Sequence, residues 1–259
     1  MSLYPAQHSS LCQHCAMSGI CFNQSNKNKS ELKVRSHKVY HKTDSLYQVG
    51  QLFDAIYILR SGSVKSSILS NAGQEQITGF YFPGDLLGLD GFEKSMHSQT
   101  IKFLETSSVC RIGLSELDAA MVSSPSIRYR LLQSMSHALN DDEKFILNAH
   151  SMNANQKFAS FLLNLSSRFE QRGLSSRVFD LSMSRVDIAN YLGMAIETVS
   201  RLLTQLQKEQ VLQVDKRKIN IIDFEGLHQR LNIEKGYSNH FGQAANKTMH
   251  ANGLFNAAH

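Results

Sequence analysis

The spacing of hydrophobic residues changes along this chain, and the changes divide it into regions. From about residue 31 to 124 the apolar runs are short, as in 55–59 and 64–69, and glycines separate them. Short strands between regular turn glycines are typical of an antiparallel sandwich or barrel. From 126 to about 150 apolar residues recur every three or four positions, which predicts a long helix. A second helical stretch is predicted over 155–170.

Residues 178–222 combine two short predicted helices with a closing β pair. Ser184 and Asp187 have the spacing of a capping box that begins the first helix, and Gly193 permits the left-handed turn that ends it. The second helix has a buried face and an opposite polar face. The buried face carries Val199, Leu202, Leu203 and Leu206, and the polar face carries Glu197, Ser200, Arg201 and Thr204.

This arrangement predicts a helix-turn-helix that enters the major groove of DNA. Arg201 can donate two hydrogen bonds to guanine, Glu197 can accept one from cytosine, and Ser200 can contact a base edge. Residues 211–221 read as a hairpin whose basic tip, with Lys216, suits phosphate contact. A helical hairpin whose outward charges are only solvated is the alternative interpretation of the same pattern.

Composition narrows the function only slightly. With 259 residues, 42% of them hydrophobic, the chain is long enough for about two domains. A net charge of +5 favours a polyanionic partner, although many enzymes are equally basic. The chain has no apolar run of about 18 residues that would span a membrane, and no apolar segment near its start that would direct secretion. We therefore expect a cytoplasmic protein without a membrane partner.

Four cysteines form the candidate metal site. Cys12, Cys15 and Cys21 have the spacing C-x2-C-x5-C, and Cys110 lies far along the chain. Four thiolates suit a [4Fe–4S] cluster or a tetrahedral zinc ion. From the residues alone the choice stays open: His14 or His8 could replace a thiolate, and Cys110 by itself is typical of a buried structural thiol.

From about residue 10 to about residue 228, the sequence resembles that of the cyclic-AMP receptor protein superfamily. Within it, the chain is similar to the oxygen-responsive fumarate-and-nitrate-reduction (FNR) branch. In the cyclic-AMP-responsive branch, Arg usually precedes the recognition-helix Glu and Gly precedes the Arg; here Ile196 and Ser200 occupy those places. The other stretches that carry the resemblance are the cysteines at 12, 15 and 21, residues 58–65, 74–80 with 84–86, and 164–166 onward through 197–201.

The resemblance implies an α+β fold. It consists of an N-terminal β-roll, which is a jelly roll like those of cyclic-nucleotide-binding domains, then a long dimerisation helix and a C-terminal winged helix-turn-helix. The expected boundaries are a cluster-binding segment at 1–30, the β-roll sensory domain at 31–124, the dimerisation helix at 125–152, the DNA-binding domain at 153–228 and a disordered tail at 229–259.

The resemblance also implies a function, which is transcription regulation and not enzyme catalysis. All four cysteines coincide with the cluster ligands of the family, so we expect a [4Fe–4S] cluster at Cys12, Cys15, Cys21 and Cys110. The family half-site is TTGAT, and we expect a cluster-bound homodimer to bind it as a palindrome, with Glu197, Ser200, Arg201 and Lys216 contacting DNA. The family implies contact with RNA polymerase and control of anaerobic genes, as an activator.

Other functions are weaker alternatives. Nucleotide-binding members of the family supply an Arg-Ser pair after a Gly-Glu turn; residues 94–100 have no such pair, although Lys94 and His97 could still contact a phosphate. A relative that senses haem or a nucleotide therefore stays possible. An iron–sulfur or zinc enzyme is a further alternative, but the chain has no convincing catalytic motif.

The predicted dimerisation helix carries an apolar seam with steps of three and four residues, which suits a parallel two-helix interface. Asp142 falls on this seam and would face its own copy in a two-fold dimer, where two carboxylates repel each other. The alternative is that Asp142 points outward into solvent. The predicted interface residues are Leu132, Met135, Leu139, Asp142 and Ile146.

Overall fold

The computed structural model describes residues 35–231 of the chain. They belong to two compact units: one contains the residues up to Ser151 together with Asp180–Arg201, and the other contains Met152–Phe179 together with the residues from Leu202 on. Helices and antiparallel sheets both contribute, which confirms the predicted α+β class. The predicted ligands Cys12, Cys15 and Cys21 lie outside the described residues, as does nearly all of the predicted tail.

Two four-stranded sheets form the predicted β-roll in the first unit. Their strand orders are β1-β8-β3-β6 and β2-β7-β4-β5, and neighbouring strands are antiparallel in both. The strands are β1 (Arg35–Tyr40), β2 (Ser45–Tyr47), β3 (Ala55–Ser61), β4 (Val64–Leu69), β5 (Glu75–Tyr81), β6 (Leu86–Leu87), β7 (Thr100–Phe103) and β8 (Ser107–Gly113).

Alternate side chains of β8 serve two apolar clusters. Val109 packs with Leu59, Val64 and Phe103 in one cluster, whereas its neighbour Cys110 belongs to the other. Successive side chains of a strand point to opposite faces, so one strand contributes to both clusters. The second cluster continues from the sheet onto the helices that follow β8.

Gly62 shows why glycine separates these strands. It lies between β3 and β4 with a φ of 82°, a backbone conformation that L side chains rarely adopt. A Cβ at this position would also overlap the side chain of Ser107. The β3–β4 turn therefore requires glycine both for its backbone conformation and for the close approach of β8.

Helices α1 (Leu114–Ser123) and α2 (Pro125–Ser151) follow β8. Pro125 begins α2, where its missing N–H costs no helical hydrogen bond. The long helix predicted over 126–150 is thus present. Ile127 and Leu131 of α2 are buried, one turn apart, in the same apolar cluster as Cys110.

In the second unit, helix α3 (Ala154–Glu170) begins at Asn153. Its side chain accepts a hydrogen bond from Gln156 N–H, and the Gln156 side chain accepts one from Asn153 N–H. The strands β9 (Val178–Asp180), β10 (Leu212–Asp215) and β11 (Lys218–Ile221) form a three-stranded sheet of order β10-β11-β9, and helix α6 (Phe224–Gln229) follows. Helix α4 (Arg185–Leu192) belongs to the first unit, and α5 (Ile196–Lys208) begins in the first unit and ends in the second.

Across residues 35–231, the length and hydropathy of the helices fall short of what a membrane span requires.

Candidate functional site

Helix α4 begins with the predicted capping box. Ser184 Oγ accepts a hydrogen bond from Asp187 N–H at 3.1 Å, and Asp187 Oδ2 accepts one from Ser184 N–H at 2.9 Å. Partial burial works to raise the pKa of Asp187, but hydrogen bonds from Ser184 and Lys65 outweigh it and hold that pKa below its ordinary value. Asp187 is therefore a carboxylate at neutral pH.

Gly193 ends α4 in the left-handed conformation, with φ 64° and ψ 43°. Its N–H donates to the carbonyl of Asn190, and the N–H of Met194 donates to Ala189. These bonds satisfy carbonyl groups that the end of a helix leaves without an intrahelical partner. The chain then turns into α5 after only three residues.

Helix α5 has the two faces that the sequence predicts. Val199, Leu202, Leu203 and Leu206 are buried, whereas Glu197, Arg201 and Thr204 are exposed. Ser200 is half-buried, and its hydroxyl lies 3.4 Å from Nη1 of Arg185, which can donate to it. Sequence reasoning missed this contact, because an Arg fifteen residues away has no periodic relation to α5.

The predicted wing is a two-residue hairpin between β10 and β11. Asp215 pairs with Lys218, so Lys216 and Arg217 form the tip. Lys216 has a φ of 55°, and the side chains of Lys216, Arg217 and Lys218 are exposed. These three adjacent cations, in the turn and at the start of β11, can bind phosphate groups without reading sequence.

Cys110 is the one predicted metal ligand that the structure describes. It lies on β8 opposite Ile58 of β3 and is 9% exposed, among apolar side chains. Ile127 and Leu131 of α2 belong to the same cluster. Within residues 35–231, no three His, Cys, Asp or Glu side chains gather where they could hold a metal ion, so the other ligands of a metal held by Cys110 would come from outside this range.

The predicted dimer residues Leu132, Met135 and Leu139, whose side chains the structure describes, divide between two faces of α2. Leu132 and Leu139, seven residues apart, are 64% and 65% exposed. Met135 instead packs against the cluster of Ile127 and Leu131 in its own chain, because the three residues follow one another at steps of four along one side of the helix. The side chains of Asp142 and Ile146 lie outside the described residues.

Comparison with known protein families identifies both the β-roll and the region of the helix-turn-helix. Residues 37–124 match the model of the cyclic nucleotide-binding domain, and residues 156–230 match that of the Crp-like helix-turn-helix domain. The chain is 37% identical over 226 residues to the transcriptional activator protein FnrA of Stutzerimonas stutzeri, covering 86% of this chain and 93% of that protein. The chain belongs to the FNR branch of the cyclic-AMP receptor protein family.

Other relatives support the same family membership. The fumarate and nitrate reduction regulatory protein of Vibrio cholerae is 37% identical, over 86% of this chain and 91% of its own. The anaerobic regulatory protein of Haemophilus influenzae is 39% identical, over 83% and 86%. Among solved structures, FixK2 from Bradyrhizobium japonicum has a TM-score of 0.69 and 28% identity, over 75% of this chain and 96% of that one. This FNR-branch chain is therefore a DNA-binding transcription regulator and not an enzyme.

Residues 94–100, the stretch without the Arg-Ser pair, make contacts within this FNR-branch chain. His97 is buried, stacks on the ring of Tyr47 at 3.6 Å between centroids, and places Nδ1 3.4 Å from Asp90 Oδ1. The backbone N–H groups of Ser98 and Gln99 donate to Asp90 Oδ2 at 2.8 and 3.1 Å. Donors that could bind a ligand's phosphate thus bind a carboxylate of the chain.

Tyr47 completes this cluster by donating a hydrogen bond to Asp90 Oδ1 at 3.2 Å. Burial, together with the nearby Asp90 carboxylate, raises the pKa of Tyr47 far above its ordinary value, so the hydroxyl stays protonated. Lys94, the other residue that could contact a phosphate, is exposed beside Glu93. The cluster of Tyr47, Asp90 and His97 was not foreseen, because Tyr47 lies on β2, 43 positions before Asp90 in the connection between β6 and β7.

Proposed function

We propose that this chain is an oxygen-responsive regulator that holds a [4Fe–4S] cluster and, as a dimer, binds palindromic DNA of TTGAT half-sites to control anaerobic genes. The position of Cys110 carries the proposal, because its side chain shares an apolar cluster with the first turns of α2. A ligand at Cys110 therefore adjoins the helix that we propose as the dimer interface. The name of the Haemophilus influenzae relative, anaerobic regulatory protein, supports a role in anaerobic regulation.

The donor set fits this cofactor. Cys12, Cys15 and Cys21 would supply three thiolates and Cys110 the fourth, which meets the ligand number of a [4Fe–4S] cluster. The apolar surroundings of Cys110 would limit the access of water to a cluster bound there, which tunes its redox potential. When bound, the cluster supplies an iron–thiolate group that small oxidants can convert.

Cys110 has a fixed position, because β8 pairs with β1 on one side and β3 on the other. A ligand set that includes Cys110 would join the N-terminal segment to the β-roll beside Ile127 and Leu131. Leu132 and Leu139 lie exposed one heptad apart on the same helix, a spacing that suits burial against a second copy of α2. Loss of the ligand set would then weaken dimerisation.

In the dimer, each copy presents Glu197, Ser200 and Arg201 to one half-site. Exposed Glu197 and Arg201 are free to reach base edges, and Lys216 in the wing reaches phosphate. Two copies related by a two-fold axis require a palindromic site. We extend the proposal to contact with RNA polymerase, which a transcription activator needs.

The test is to purify the protein without oxygen, then measure its visible spectrum, sedimentation and binding to a TTGAT palindrome before and after exposure to air. We expect a broad sulfur-to-iron charge-transfer band, a dimer and tight DNA binding, and we expect all three to be lost in air. A Soret band would identify a haem sensor instead. A protein without iron and sulfide that still dimerises and binds DNA would overturn the proposal.

A further inference from the structure

Helix α4 covers the free edge of a β-roll sheet. Strand β5 is the last strand of the order β2-β7-β4-β5, so the outward backbone groups of β5 have no neighbouring strand in that sheet. The Asn190 side chain takes the place of a neighbouring strand. Its Oδ1 accepts a hydrogen bond from the N–H of Ile77 at 2.6 Å, and its Nδ2 donates one to the carbonyl of Glu75 at 2.8 Å. Gln76 Nε2 donates in return to the Asn190 carbonyl at 2.9 Å.

An ion pair and a ring contact lie beside this amide. Lys65 Nζ lies 2.9 Å from Asp187 Oδ1 and 3.4 Å from Glu75 Oε2, and its side chain is only 14% exposed. The ring of Tyr191 meets Phe80 edge-on, with 5.1 Å between centroids. Asp187, Asn190 and Tyr191 are three and four residues apart, so they form one face of α4. We call this contact between α4 and the β4–β5 strands the α4–β5 joint.

The α4–β5 joint leaves two of the proposed reading residues, Glu197 and Arg201, in contact with solvent. The joint also pairs the one carboxylate in the first turn of α4 with a lysine. The first helix of a helix-turn-helix crosses the DNA backbone, where an unpaired carboxylate would repel phosphate. The ion pair with Lys65 therefore compensates the negative charge at this end of α4.

We infer that the α4–β5 joint positions α4 and the first residues of α5, which carry Glu197 and Arg201, on the β-roll of the same compact unit and so prepares them for DNA binding. The inference rests on the proposed function. Fixing α4 before DNA arrives lowers the ordering cost of binding, and releasing it lets the helices sample positions that do not fit the half-site. Lys65 and Asn190 are therefore positioning residues, since they act on DNA affinity through the placement of α4.

Asn190→Ala tests the joint directly. It removes both side-chain hydrogen bonds to β5, and alanine favours the helix, so α4 itself should remain folded. The Ile77 N–H has Asn190 as its acceptor, so its hydrogen exchange in the DNA-free protein should become about tenfold faster. Affinity of the anaerobic protein for a TTGAT palindrome should fall by about tenfold.

Three comparisons separate positioning from other effects. In Asn190→Ala, the ratio of affinities for the palindrome and for a duplex with the half-site guanine changed should be preserved, because Asn190 reads no base. Lys65→Met should also weaken binding, whereas Lys94→Met, which removes the same charge from an exposed lysine, should not. The loss in the double variant Lys65→Met/Asn190→Ala should be less than the two single losses combined, because both act on one joint.

Each contrary result has a defined meaning. Unchanged Ile77 exchange in Asn190→Ala, unchanged DNA affinity, or tighter DNA binding would each overturn the inference, the last by showing that the joint restrains the reading helices. If the unaltered protein binds no TTGAT palindrome, the proposed function fails and the positioning role fails with it. The exchange measurement, which needs no DNA, still decides in that case whether the contact exists.

Discussion

At the scale of single residues, Cys110 connects the proposed cofactor to the folded chain. Its neighbours in the apolar cluster include Ile112 on its own strand and Ile127 on α2. Position 110 therefore combines a soft sulfur ligand with a rigid strand and a water-poor environment. A substitution that removes only the ligand should separate these contributions.

Cys110→Ser should abolish the iron chromophore, because three thiolates and a hydroxyl hold an iron–sulfur cluster poorly. The same loss is expected for serine at Cys12, Cys15 or Cys21. Iron and acid-labile sulfide per chain, measured on anaerobically purified protein, check the prediction. Ile112→Val is the matched control: it alters packing in the same cluster without removing a thiol, and it should keep its iron. Full iron and sulfide in Cys110→Ser would point to another fourth ligand, with His14 first in line.

Arg201 and Lys216 are both exposed cations, but we expect them to contribute to DNA binding in different ways. Arg201→Ala should cost about 1–3 kcal/mol of binding free energy and relax the preference at one guanine. Lys216→Ala should weaken binding to all sequences about equally and reduce the dependence of affinity on salt.

Binding of both variants to a TTGAT palindrome, and to the same duplex with the guanine changed, distinguishes the two roles. If Arg201→Ala lost equal affinity on the two duplexes, Arg201 would contact only phosphate. Specificity would then depend on Glu197, Ser200 or the shape of the DNA.

At the scale of elements, the α4–β5 joint should respond to acid. Burial works to raise the pKa of Glu75, but Ser67, Lys65 and Lys102 lower it below its ordinary value of 4.5, and the pKa of Asp187 lies below its ordinary 3.8. A carboxyl group whose pKa is lower in the folded than in the unfolded state stabilises the fold above its unfolded pKa. This contribution to stability is lost as the pH falls through the pKa that the carboxyl group has in the folded state.

The contribution of these two carboxylates to stability should therefore be complete above pH 4.5 and decline below it. Lys65→Met should flatten this decline, because it removes a cation that favours both charged forms. Urea unfolding at several pH values between neutrality and the acid range measures the effect, with Lys94→Met as the control. A decline equally steep in Lys65→Met would show that Lys65 does not cause the lowered pKa values.

At the scale of the whole molecule, the proposed switch is the association of two copies through α2. If Asp142 faces its own copy, two carboxylates lose water beside each other, at a cost on the order of 1 kcal/mol or more. The dimer would then be marginal by itself, and an intact cluster would tip the balance toward association.

Asp142→Ala should remove this repulsion, so the variant should dimerise and bind DNA in air with little or no cluster. Sedimentation of the aerobic variant beside the aerobic unaltered protein is the measurement, with Glu143→Ala, at an exposed position one residue along α2, as the control. If the aerobic variant sedimented as a monomer like the unaltered protein, regulation would have to act through the position of α2 and not through this pair of carboxylates.

The local features of this protein could be predicted from the sequence. The capping box of Ser184 and Asp187, the left-handed Gly193 and the two faces of α5 all appear where the pattern predicts them. Each depends on residues within a few positions of one another, so helical and turn geometry alone relate them. The β-roll itself could be predicted only as a class of fold.

The tertiary structure alone decided which distant residues meet. Met135 fits the apolar seam of α2 by spacing, but it packs against its own β-roll, because a helical period does not say what lies beside each face. Lys65 meets Asp187 across 122 positions, and Asn190 covers the edge of β5 across 113. Such contacts depend on the path of the whole chain, which periodicity along one segment does not encode.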